Sequence, residues 1–402
     1  MASKHKALIV GGGFGGVKAA LDLESDPRFK VTLLNDHDDF RYYPTLYRTA
    51  TGASRNASSI PLSEIFAETG VEIMIDSAKS IDHDNRKLKT NSGKEIEYDV
   101  IVLALGMVTN YFGIPGLPEL SYGIKTIEEA EKLKKHLHKH IVKKKHPDLN
   151  YIIVGGGPTG VELAGVLGEY IELICKAHKV SKRTIHVDLV EAAPRLLPAM
   201  PKAVSRKVTR QLKKRGVKLY LNKAVSSQSA DELIVNDKPI RSHTVIWTAG
   251  TANNPFYSDQ NFQLATNHKV RVDHFLQAKP ALYVIGDNAD TPYSGLAQTA
   301  LYDGQYVANN IKRLADGEKP LPYKAKLPIY VLPAGPAWAA VVWGNLKFYG
   351  LFGWILRKSA DLVAFNDYEP WFKATRHWLA ESKPEELCEL CDPDTSTGQP
   401  AK

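Results

Sequence analysis

Short apolar runs rich in valine, isoleucine and leucine recur along the chain and alternate with longer stretches that mix apolar and polar residues. The apolar runs lie at residues 7–10, 31–34, 98–105, 150–154, 185–190, 244–249 and 281–285. Runs of this length and composition predict strands that are buried on both faces of a parallel sheet. The mixed stretches that follow several of them are compatible with helices, so the pattern predicts an α/β protein.

Two segments repeat the same succession of strand, glycine turn, helix and second strand. The first begins at Lys6 and its helix extends to about Leu23, whereas the second begins at Asn150 and its helix extends to about His178. The glycines of the two turns are Gly11, Gly13 and Gly16 in the first copy and Gly155, Gly157 and Gly160 in the second. This succession is typical of a mononucleotide-binding half of a doubly wound sheet. The sequence therefore predicts two Rossmann-like dinucleotide-binding domains.

Two changes in composition divide the chain. Residues 112–118 form a connector rich in proline and glycine, and after Pro320 the pattern changes to Trp, Phe, Gly and Pro without a clear period. We therefore predict a discontinuous first domain at residues 1–118 and 250–325. A second domain at 119–249 is inserted into it, and a C-terminal module occupies 326–402.

The spacing of the glycines predicts the chemistry of both turns. The first glycine permits a tight turn, the second allows the backbone to approach a pyrophosphate, and the third allows the helix to pack closely on the strand. The start of the helix then presents free N–H groups and the positive end of its dipole to the phosphates. A tight turn with a purely structural role is the alternative for a single motif of this kind.

The residue that ends the second strand of each copy is expected to contact a ribose. In the second copy this residue is Glu191, whose carboxylate would accept hydrogen bonds from a ribose 2′-OH and repel a 2′-phosphate. It therefore favours NADH over NADPH, although Arg195 could soften that preference. In the first copy the place is taken by Asn35, which can also bond a diol. The next residue, Asp36, either substitutes for it or is a solvated turn residue.

Glu162 follows the last glycine of the second turn by two residues and allows two interpretations. It is either an ordinary acid of the first helical turn, favoured by the helix dipole, or a carboxylate that points toward a catalytic face between the domains. A carboxylate in this place would be repelled by a diphosphate unless it faced away.

Composition and charge are those of a globular protein with an uneven distribution of basic residues. Of 402 residues, 44% are apolar and 24% charged, and three cysteines exclude a disulfide scaffold and suggest a reducing compartment. No signal peptide is expected, since residues 1–6 run directly into the first strand. The net charge is +8, and residues 119–249 alone hold 24 Lys and Arg against 13 Asp and Glu.

Most of the basic excess lies in two runs, residues 132–145 and 202–218. Four histidines accompany the first run: His136, His138, His140 and His146. A solvated helix is favoured over metal binding by these histidines, because their spacing is poor for metal ligands, and no metal site is predicted. No nucleic-acid-binding motif accompanies the charge, so we expect attraction to anionic lipid headgroups or steering of anionic NADH.

Aromatic residues concentrate near the C-terminus, where five of the six tryptophans fall in the last 70 residues. Prolines and polar residues interrupt residues 327–356, so a membrane-spanning helix is not predicted. Past Pro370, five residues that are mostly aromatic or apolar fall at helical spacing: Trp371, Phe372, Thr375, Trp378 and Leu379. With basic residues between them, this pattern favours a helix that lies in a membrane surface. The alternative is a stripe packed on the protein's own core or in a homodimer.

Several short motifs add to the two nucleotide-binding patterns. They stand at residues 43–47, 104–106, 112–116, 156–162, 191–197, 285–287 and 297–300, the last reading Ala-Gln-Thr-Ala. Together these segments resemble the flavoprotein pyridine-nucleotide oxidoreductases, and among them the type II NADH dehydrogenases, which are single-subunit NADH:quinone oxidoreductases. The resemblance extends to about residue 315, and the last motif matches the family's Ala-Gln-x-Ala signature.

The resemblance implies FAD in the first domain and NADH in the second. It places Asp287 at the flavin ribityl or pyrophosphate region, Gln298 beside the flavin ring at the quinone end, and Glu162 where nicotinamide and flavin meet. The other residues expected to contact cofactors are Phe14, Pro44, Ala104, Gly106, Gly250, Gly286 and Ala297. Two departures from the family pattern are Asn35 in place of an acid and Thr45 where leucine is more frequent.

The implied activity is hydride transfer from NADH to FAD, followed by two-electron reduction of a membrane quinone in a respiratory chain, without proton pumping. The implied location is peripheral, on the cytoplasmic face of the cell membrane. Thiol-dependent relatives are excluded because Cys175 falls on a helix of the second domain, and Cys388 and Cys391 lie near the C-terminus, where free thiols are favoured. An NAD(P)H:ferredoxin or rubredoxin reductase and an apoptosis-inducing-factor-like flavoprotein remain as alternatives.

Overall fold

The computed structural model describes residues 4–180 and 184–380. The strands, in chain order, are β1 (His5–Val10), β2 (Phe29–Asn35), β3 (Asp39–Arg41), β4 (Ser59–Pro61), β5 (Glu72–Ile75), β6 (Ala78–Asp82), β7 (Lys87–Thr90), β8 (Glu95–Glu97), β9 (Val100–Leu103), β10 (Val108–Thr109), β11 (Asn150–Val154), β12 (His186–Glu191), β13 (Lys218–Leu221), β14 (Val225–Gln228), β15 (Glu232–Val235), β16 (Lys238–Arg241), β17 (Val245–Trp247), β18 (Thr251–Ala252), β19 (Gln277–Lys279), β20 (Leu282–Val284), β21 (Tyr330–Pro333), β22 (Ala339–Trp343) and β23 (Leu346–Tyr349). The α-helices are α1 (Phe14–Glu24), α2 (Leu46–Ala50), α3 (Leu62–Ile65), α4 (Leu117–Leu120), α5 (Ile127–Lys144), α6 (Pro158–Ala177), α7 (Lys202–Lys214), α8 (Pro255–Asp259), α9 (Ala297–Ala315), α10 (Gly350–Asn366) and α11 (Trp371–Ala380).

The first sheet has six strands in the order β19-β20-β9-β1-β2-β5, and its neighbours are parallel except for the edge pair of β19 with β20. Val10 lies opposite both Leu34 and Leu103, so three strands end at the same edge. Helices α1 and α9 share the hydrophobic core on this sheet and approach each other closely, since a Cβ on Gly304 would strike the backbone of Gly15. This edge is where an open α/β sheet binds its ligand.

The second sheet has four strands in the order β13-β12-β11-β17 and is parallel throughout. It repeats the order β5-β2-β1-β9 of the first sheet, and Val154 takes the place of Val10 before the glycine turn. Leu133, Leu137 and Ile141 of α5 are fully buried in the core of this sheet together with the apolar face of α6. The predicted α/β class is confirmed.

A three-stranded antiparallel meander precedes the fourth strand of each copy, β6-β7-β8 before β9 and β14-β15-β16 before β17. The hydrophobic pattern of the sequence did not predict these strands. Charged residues occupy many of their positions, as in the runs at 94–97 and 236–241, so the apolar pattern of a buried strand is absent. The meanders extend the repeat beyond the strand–helix–strand unit.

The chain crosses between the two sheets at two places that pair with each other. Strands β10 and β18 are antiparallel, with Val108 opposite Ala252, and the Trp247 indole N–H donates to the Asn110 carbonyl at 3.0 Å. Gly250 has a φ of +77° and lies against Phe112, where a Cβ would strike the ring. The division at residues 118, 249 and 325 stays a prediction, but the two crossing segments form one small ribbon.

The C-terminal segment contributes to the cores of both sheets. The sheet β21-β22-β23 buries Leu332, Ala340 and Val342 in the core of the second sheet. Helices α10 and α11 bury Phe365 and Ala374 in the core of the first sheet. The sequence predicted helical spacing past Pro370, which α11 confirms, but it did not predict α10 or the sheet before it.

Two helical faces of this segment stay exposed and apolar. On α10 the exposed face carries Leu351, Phe352, Ile355 and Val363, and on α11 it carries Trp371, Phe372 and Leu379. Trp378 points the other way, and its indole N–H donates to the Lys358 carbonyl at 2.7 Å. Within residues 4–180 and 184–380, no helix combines the length and the apolar character needed to cross a membrane. Cys388 and Cys391 lie outside the described residues.

Candidate functional site

The three glycines of each turn serve different purposes in the structure. The first, Gly11 or Gly155, has a φ of +108° or +116°, a backbone conformation that favours glycine. A Cβ on the third, Gly16 or Gly160, would strike the carbonyl oxygen of that first glycine. A Cβ on the second, Gly13 or Gly157, would have no atom of the described chain within 4 Å. The backbone therefore borders open space at the place where a diphosphate is expected.

The helices that follow both turns begin without side-chain caps. Gly13 and Gly157 are the N-cap residues of α1 and α6, and among the described residues no side chain bonds the free N–H groups there. These N–H groups and the helix dipole favour an anion. The two turns thus fit the two diphosphates of a dinucleotide pair.

Asn35 and Glu191 occupy the same position in the two copies and make the same contact. The Gly12 N–H donates to Asn35 Oδ1 at 2.7 Å, and the Gly156 N–H donates to Glu191 Oε2 at 2.6 Å. Asn35 also donates from Nδ2 to the His37 carbonyl at 2.7 Å, whereas Glu191 accepts the Ala193 N–H at 2.7 Å. Each side chain therefore braces its glycine turn in addition to any contact with a ribose.

Two neighbours of these residues, Asp36 and Arg195, make contacts within the protein that do not involve the expected ribose. Asp36 is exposed, and its carboxylate lies 3.3 Å from His37 Nε2. The Arg195 guanidinium donates to the carbonyls of Leu197 and Met200 at 3.0 and 2.9 Å and is thereby held against its own loop. These contacts favour Asn35 over Asp36 as the ribose neighbour and leave Arg195 occupied.

At the edge of the first sheet, the turn at Gly106 and the turn at Asp287 are joined by a buried asparagine. The Gly106 N–H donates to Asn288 Oδ1 at 2.7 Å, and Asn288 Nδ2 donates back to the Gly106 carbonyl at 2.8 Å. Asp287 itself is partly exposed in the 3₁₀ turn Gly286–Asn288. The neighbouring Ala104 extends β9 by donating its N–H to the Val10 carbonyl at 2.7 Å.

A second buried residue that we did not predict, Asp303 of α9, holds the same turn. Asp303 Oδ2 accepts the Gly286 N–H at 3.0 Å, and Oδ1 accepts the Tyr323 hydroxyl at 2.7 Å. Burial raises the pKa of Asp303 to about 6, against the lowering effect of these two hydrogen bonds. Neither Asn288 nor Asp303 follows a motif that the sequence marks, and Asn288 could have been suspected only from its place beside Asp287.

The Ala-Gln-Thr-Ala motif forms the start of α9. Gln298 is exposed and its Oε1 accepts the Ile329 N–H at 2.8 Å, which ties the helix start to the segment before β21. Ala297 is the first residue of the helix, and Ala300 packs against Gly15 and Gly286. The motif therefore lies beside the first glycine turn.

Phe14, Pro44 and Thr45 belong to the first nucleotide-binding copy. The rings of Phe14 and Phe40 meet edge to face with centroids 5.1 Å apart, and Pro44 belongs to the 3₁₀ turn Tyr43–Thr45. The Thr45 hydroxyl is buried, 2.7 Å from the Ala57 carbonyl oxygen and 2.9 Å from the Ser58 hydroxyl. The departure at Thr45 therefore fills a buried polar cluster.

Glu162 stands in the first two turns of α6 and faces charged residues of α10. Burial raises the pKa of Glu162 to about 8, while Arg357 lowers it and Asp361 raises it further. Arg357 Nε lies 3.0 Å from Asp361 Oδ2, and the Tyr42 hydroxyl donates to Asp361 Oδ1 at 2.8 Å. The structure thus brings Glu162 together with a buried ion pair, Arg357 and Asp361, that no motif of the sequence marks.

Comparison with known proteins identifies the family. The sequence pattern of the pyridine nucleotide-disulphide oxidoreductases matches residues 5–304, which is more than half of the chain. The chain belongs to this family. Both glycine turns, Glu162 and the start of α9 in this oxidoreductase fall within the matched residues.

Among curated proteins, the oxidoreductase is similar to type II NADH:quinone oxidoreductases of two staphylococci. It is 26% identical to that of Staphylococcus haemolyticus strain JCSC1435 and 25% identical to that of Staphylococcus aureus strain NCTC 8325. Both comparisons extend over 339 residues and cover 78% of this chain and 84% of the relative.

Two solved structures with the same fold cover nearly the whole chain. NDH2 from Plasmodium falciparum, in complex with NADH, has a TM-score of 0.84 at 18% identity, covering 94% of this chain and 97% of its own. The sulfide:quinone oxidoreductase of Aquifex aeolicus has a TM-score of 0.76 at 20% identity, covering 96% and 98%. At these identities the likeness concerns the fold of the oxidoreductase.

Proposed function

We propose that this chain is an FAD-dependent NADH:quinone oxidoreductase, which takes hydride from NADH and passes two electrons to a membrane quinone without pumping protons. The observation that carries the proposal is the pair of open glycine cradles in one chain, with a carboxylate at the ribose position only in the second. The staphylococcal relatives named above suggest quinone as the acceptor.

The residues at the two cradles fit the two nucleotides. We assign FAD to the first cradle, with Gly11, Gly13, Asn35 and the turn at Asp287 around it, and NADH to the second, with Gly155, Gly157 and Glu191. When bound, FAD supplies the two-electron chemistry that links nicotinamide to quinone. The contribution of the protein is to hold the reacting groups in register and exclude competing reactions.

Glu162 is the group we assign to proton delivery. Reduction of a quinone to a quinol consumes two protons, and a carboxyl with a pKa of about 8 carries a proton at neutral pH. Burial is the main cause of the raised pKa, and the Arg357 guanidinium limits it. Gln298, which is exposed at the start of α9, is assigned to hydrogen bonding of the quinone.

The exposed apolar faces of α10 and α11 are the surfaces we assign to the membrane. Leu351 is 63% exposed and Phe372 is 73% exposed, and both stand on faces where neighbouring positions are also apolar. Exposed apolar patches of this kind mark protein or membrane contacts. A peripheral position would bring the chain to its quinone, and its side of the membrane and its assembly as a homodimer stay predictions.

The acceptor is tested by stopped-flow kinetics. The FAD-loaded protein is reduced with NADH and then mixed with a soluble quinone analogue or with a ferredoxin, and the return of the flavin absorbance is followed. We expect rapid reoxidation by the quinone analogue and slow reoxidation by the ferredoxin. The reverse order would support the ferredoxin-reductase alternative. Slow return of the flavin absorbance with both acceptors would support the apoptosis-inducing-factor-like alternative.

Membrane contact is tested separately by flotation with liposomes. Phe372→Glu places a charge on the exposed face of α11 and should reduce co-flotation strongly, while the rate with a soluble quinone analogue is retained. Thr375→Glu on the same face is expected to act in the same direction. As a control, Glu318→Lys changes charge in the turn after α9. Co-flotation unchanged by Phe372→Glu would remove α11 from the proposed membrane surface.

A further inference from the structure

Three potential metal ligands converge at the amino edge of the second sheet, away from both glycine turns. They are His140 near the end of α5, Asp148 in the loop that follows, and His243 in the loop between β16 and β17. One donor atom of each residue lies within 4.8 Å of the other two. The sequence placed His140 in a run with other histidines, but its partners come from two different loops.

The donor atoms meet at a common point. His140 Nε2 lies 2.8 Å and His243 Nδ1 lies 3.4 Å from the same carboxylate oxygen, Asp148 Oδ2. Within the described part of the chain, neither His140 Nε2 nor Asp148 Oδ2 has an aligned hydrogen-bond partner, although both atoms are buried. Buried polar atoms are normally satisfied. Their 2.8 Å contact with each other is an ion pair, which a metal ion bound by both atoms would replace, displacing any proton between them.

The surroundings orient the donors. His243 Nε2 lies 3.3 Å from Asp231 Oδ1, so a carboxylate stands behind the ring on the side opposite Asp148. Carboxylates in this position fix the tautomer of a metal-bound histidine. On the other side of the cluster, Lys144 Nζ lies 3.5 Å from Asp148 Oδ1 and leaves Oδ2 facing the histidines.

We propose that His140, Asp148 and His243 form a binding site for a divalent transition metal, with zinc as the metal of best fit. Imidazole and carboxylate ligands suit zinc, and a set of three protein ligands leaves one position for water. His243 is exposed at 43% of its side chain, which gives an ion access from solvent.

The position of the site indicates a structural effect. Asp148 precedes β11 and His243 precedes β17, whereas the glycine turn follows β11, so the length of the sheet separates the metal from the nucleotide. A metal here would fasten the end of α5 to the sheet, adding to the hydrogen bond between His136 Nε2 and Thr244 Oγ1 at 2.9 Å. The other end of α5 contacts the first unit, where Glu128 pairs with Arg41 at 3.1 Å.

The test measures zinc binding by the full-length, FAD-loaded protein in a Cys388→Ser/Cys391→Ser background, which removes the tail thiolates as competing ligands. Equilibrium dialysis should detect one zinc equivalent that His243→Ala weakens by at least about tenfold. His146→Ala removes an exposed histidine two residues from Asp148 and should leave the affinity unchanged. Asp231→Asn should weaken binding less than His243→Ala does.

A spectroscopic measurement identifies the side chains that bind the zinc. X-ray absorption at the zinc edge should show two imidazole ligands with oxygen in the remaining positions, and His243→Ala should lose one imidazole. The same stoichiometry and affinity in the parent and in His243→Ala would overturn the proposal. So would a spectrum without imidazole, or the absence of zinc binding in the parent. Turnover with NADH should be similar with and without zinc.

Discussion

The two copies of the glycine turn use one position for two purposes, and comparison of Asn35 with Glu191 separates them. Both side chains accept the N–H of the middle residue of the Gly-Gly-Gly turn, so the brace is common to both copies. The two side chains differ in charge. Asn35 is buried and donates its amide to the His37 carbonyl, which a carboxylate could not do, whereas Glu191 is partly exposed and accepts a second N–H.

The same comparison extends to the helix that follows. Glu162 in the second copy corresponds to Lys18 in the first, since each stands two residues after the third glycine. Lys18 pairs with Asp22 of its own helix at 2.9 Å, while Glu162 faces Arg357 and Asp361 of α10. The repeated backbone therefore supports different electrostatic environments, and each difference can be tested in one copy with the other as reference.

The largest effect is expected from the third glycines. Gly16→Ala should yield protein without FAD, and Gly160→Ala should retain FAD but lose NADH binding, because the added methyl strikes the carbonyl oxygen of the first glycine in each turn. Flavin absorbance of the purified protein and NADH titration measure the two losses. Gly168→Ala on α6 is the control, because its Cβ would make an ordinary contact at 3.6 Å with Val187. Loss of FAD in Gly160→Ala would break the assignment of one nucleotide to each copy.

The next effect concerns Glu162 and its counterpart. Glu162→Gln should lower the rate of quinone reduction about a hundredfold, the usual size of a general-acid contribution. In the parent, the rate should fall as the pH rises through about 8, because Glu162 then loses its proton. Stopped-flow profiles from pH 6 to pH 10 (roughly the range that brackets this pKa) measure it. Lys18→Gln should leave the profile unchanged, and a fall near pH 8 that persists in Glu162→Gln would assign the proton to another group.

A smaller effect is expected when the brace of the first copy is changed. Asn35→Asp removes the donor to the His37 carbonyl and places a second carboxylate near Asp39, whose own carboxylate lies 3.0 Å from His37. We expect a loss of about 1–3 kcal/mol in the free energy of unfolding at neutral pH. Urea denaturation of the FAD-loaded protein measures it. Equal stability of Asn35→Asp and the parent would show that the amide is not required for the brace.

The smallest effect is expected in the brace of the second copy. Glu191→Gln keeps an oxygen for the Gly156 N–H but removes the charge, so the protein should fold normally. The ratio of kcat/KM for NADPH to that for NADH should rise about tenfold, because the repulsion of the 2′-phosphate is lost. Steady-state kinetics with both nucleotides measure the ratio. An unchanged ratio would mean that Glu191 acts only as the brace.

The sequence predicted what depends on local pattern. The glycine turns, the helices α1 and α6, and the residues Asn35 and Glu191 follow from spacing within one unit, so they could be located without a structure. The contact of Asn288 with Gly106 and those of the Arg357–Asp361 pair with Tyr42 and Glu162 could not, because they join segments far apart in the chain. Asp303 reaches Gly286 and Tyr323 across 17 and 20 residues, which is also beyond local pattern. His140 illustrates the same limit, since its neighbours in the sequence gave poor metal spacing while Asp148 and His243 reach it through tertiary contacts.

The sequence also left open which face of the C-terminal helix α11 is buried. The residue pattern past Pro370 allowed either a membrane stripe or packing on the core, and α11 packs one face on the core and leaves the other exposed and apolar, with Ala374 buried and Phe372 exposed. Helical periodicity locates two faces but does not say which is covered. Ala374 packs into the core of the first sheet, and part of that core is formed by residues about 300 positions earlier in the chain.

The shared use of the C-terminal segment by both cores has a consequence for biosynthesis. Leu332 and Val342 complete the second core, and Phe365 and Ala374 complete the first, so neither core is whole until the C-terminal segment has left the ribosome. Domains generally fold as units during synthesis, from the N-terminus onward. Here both cores include residues of the C-terminal segment, so a premature stop before residue 330 leaves both cores incomplete.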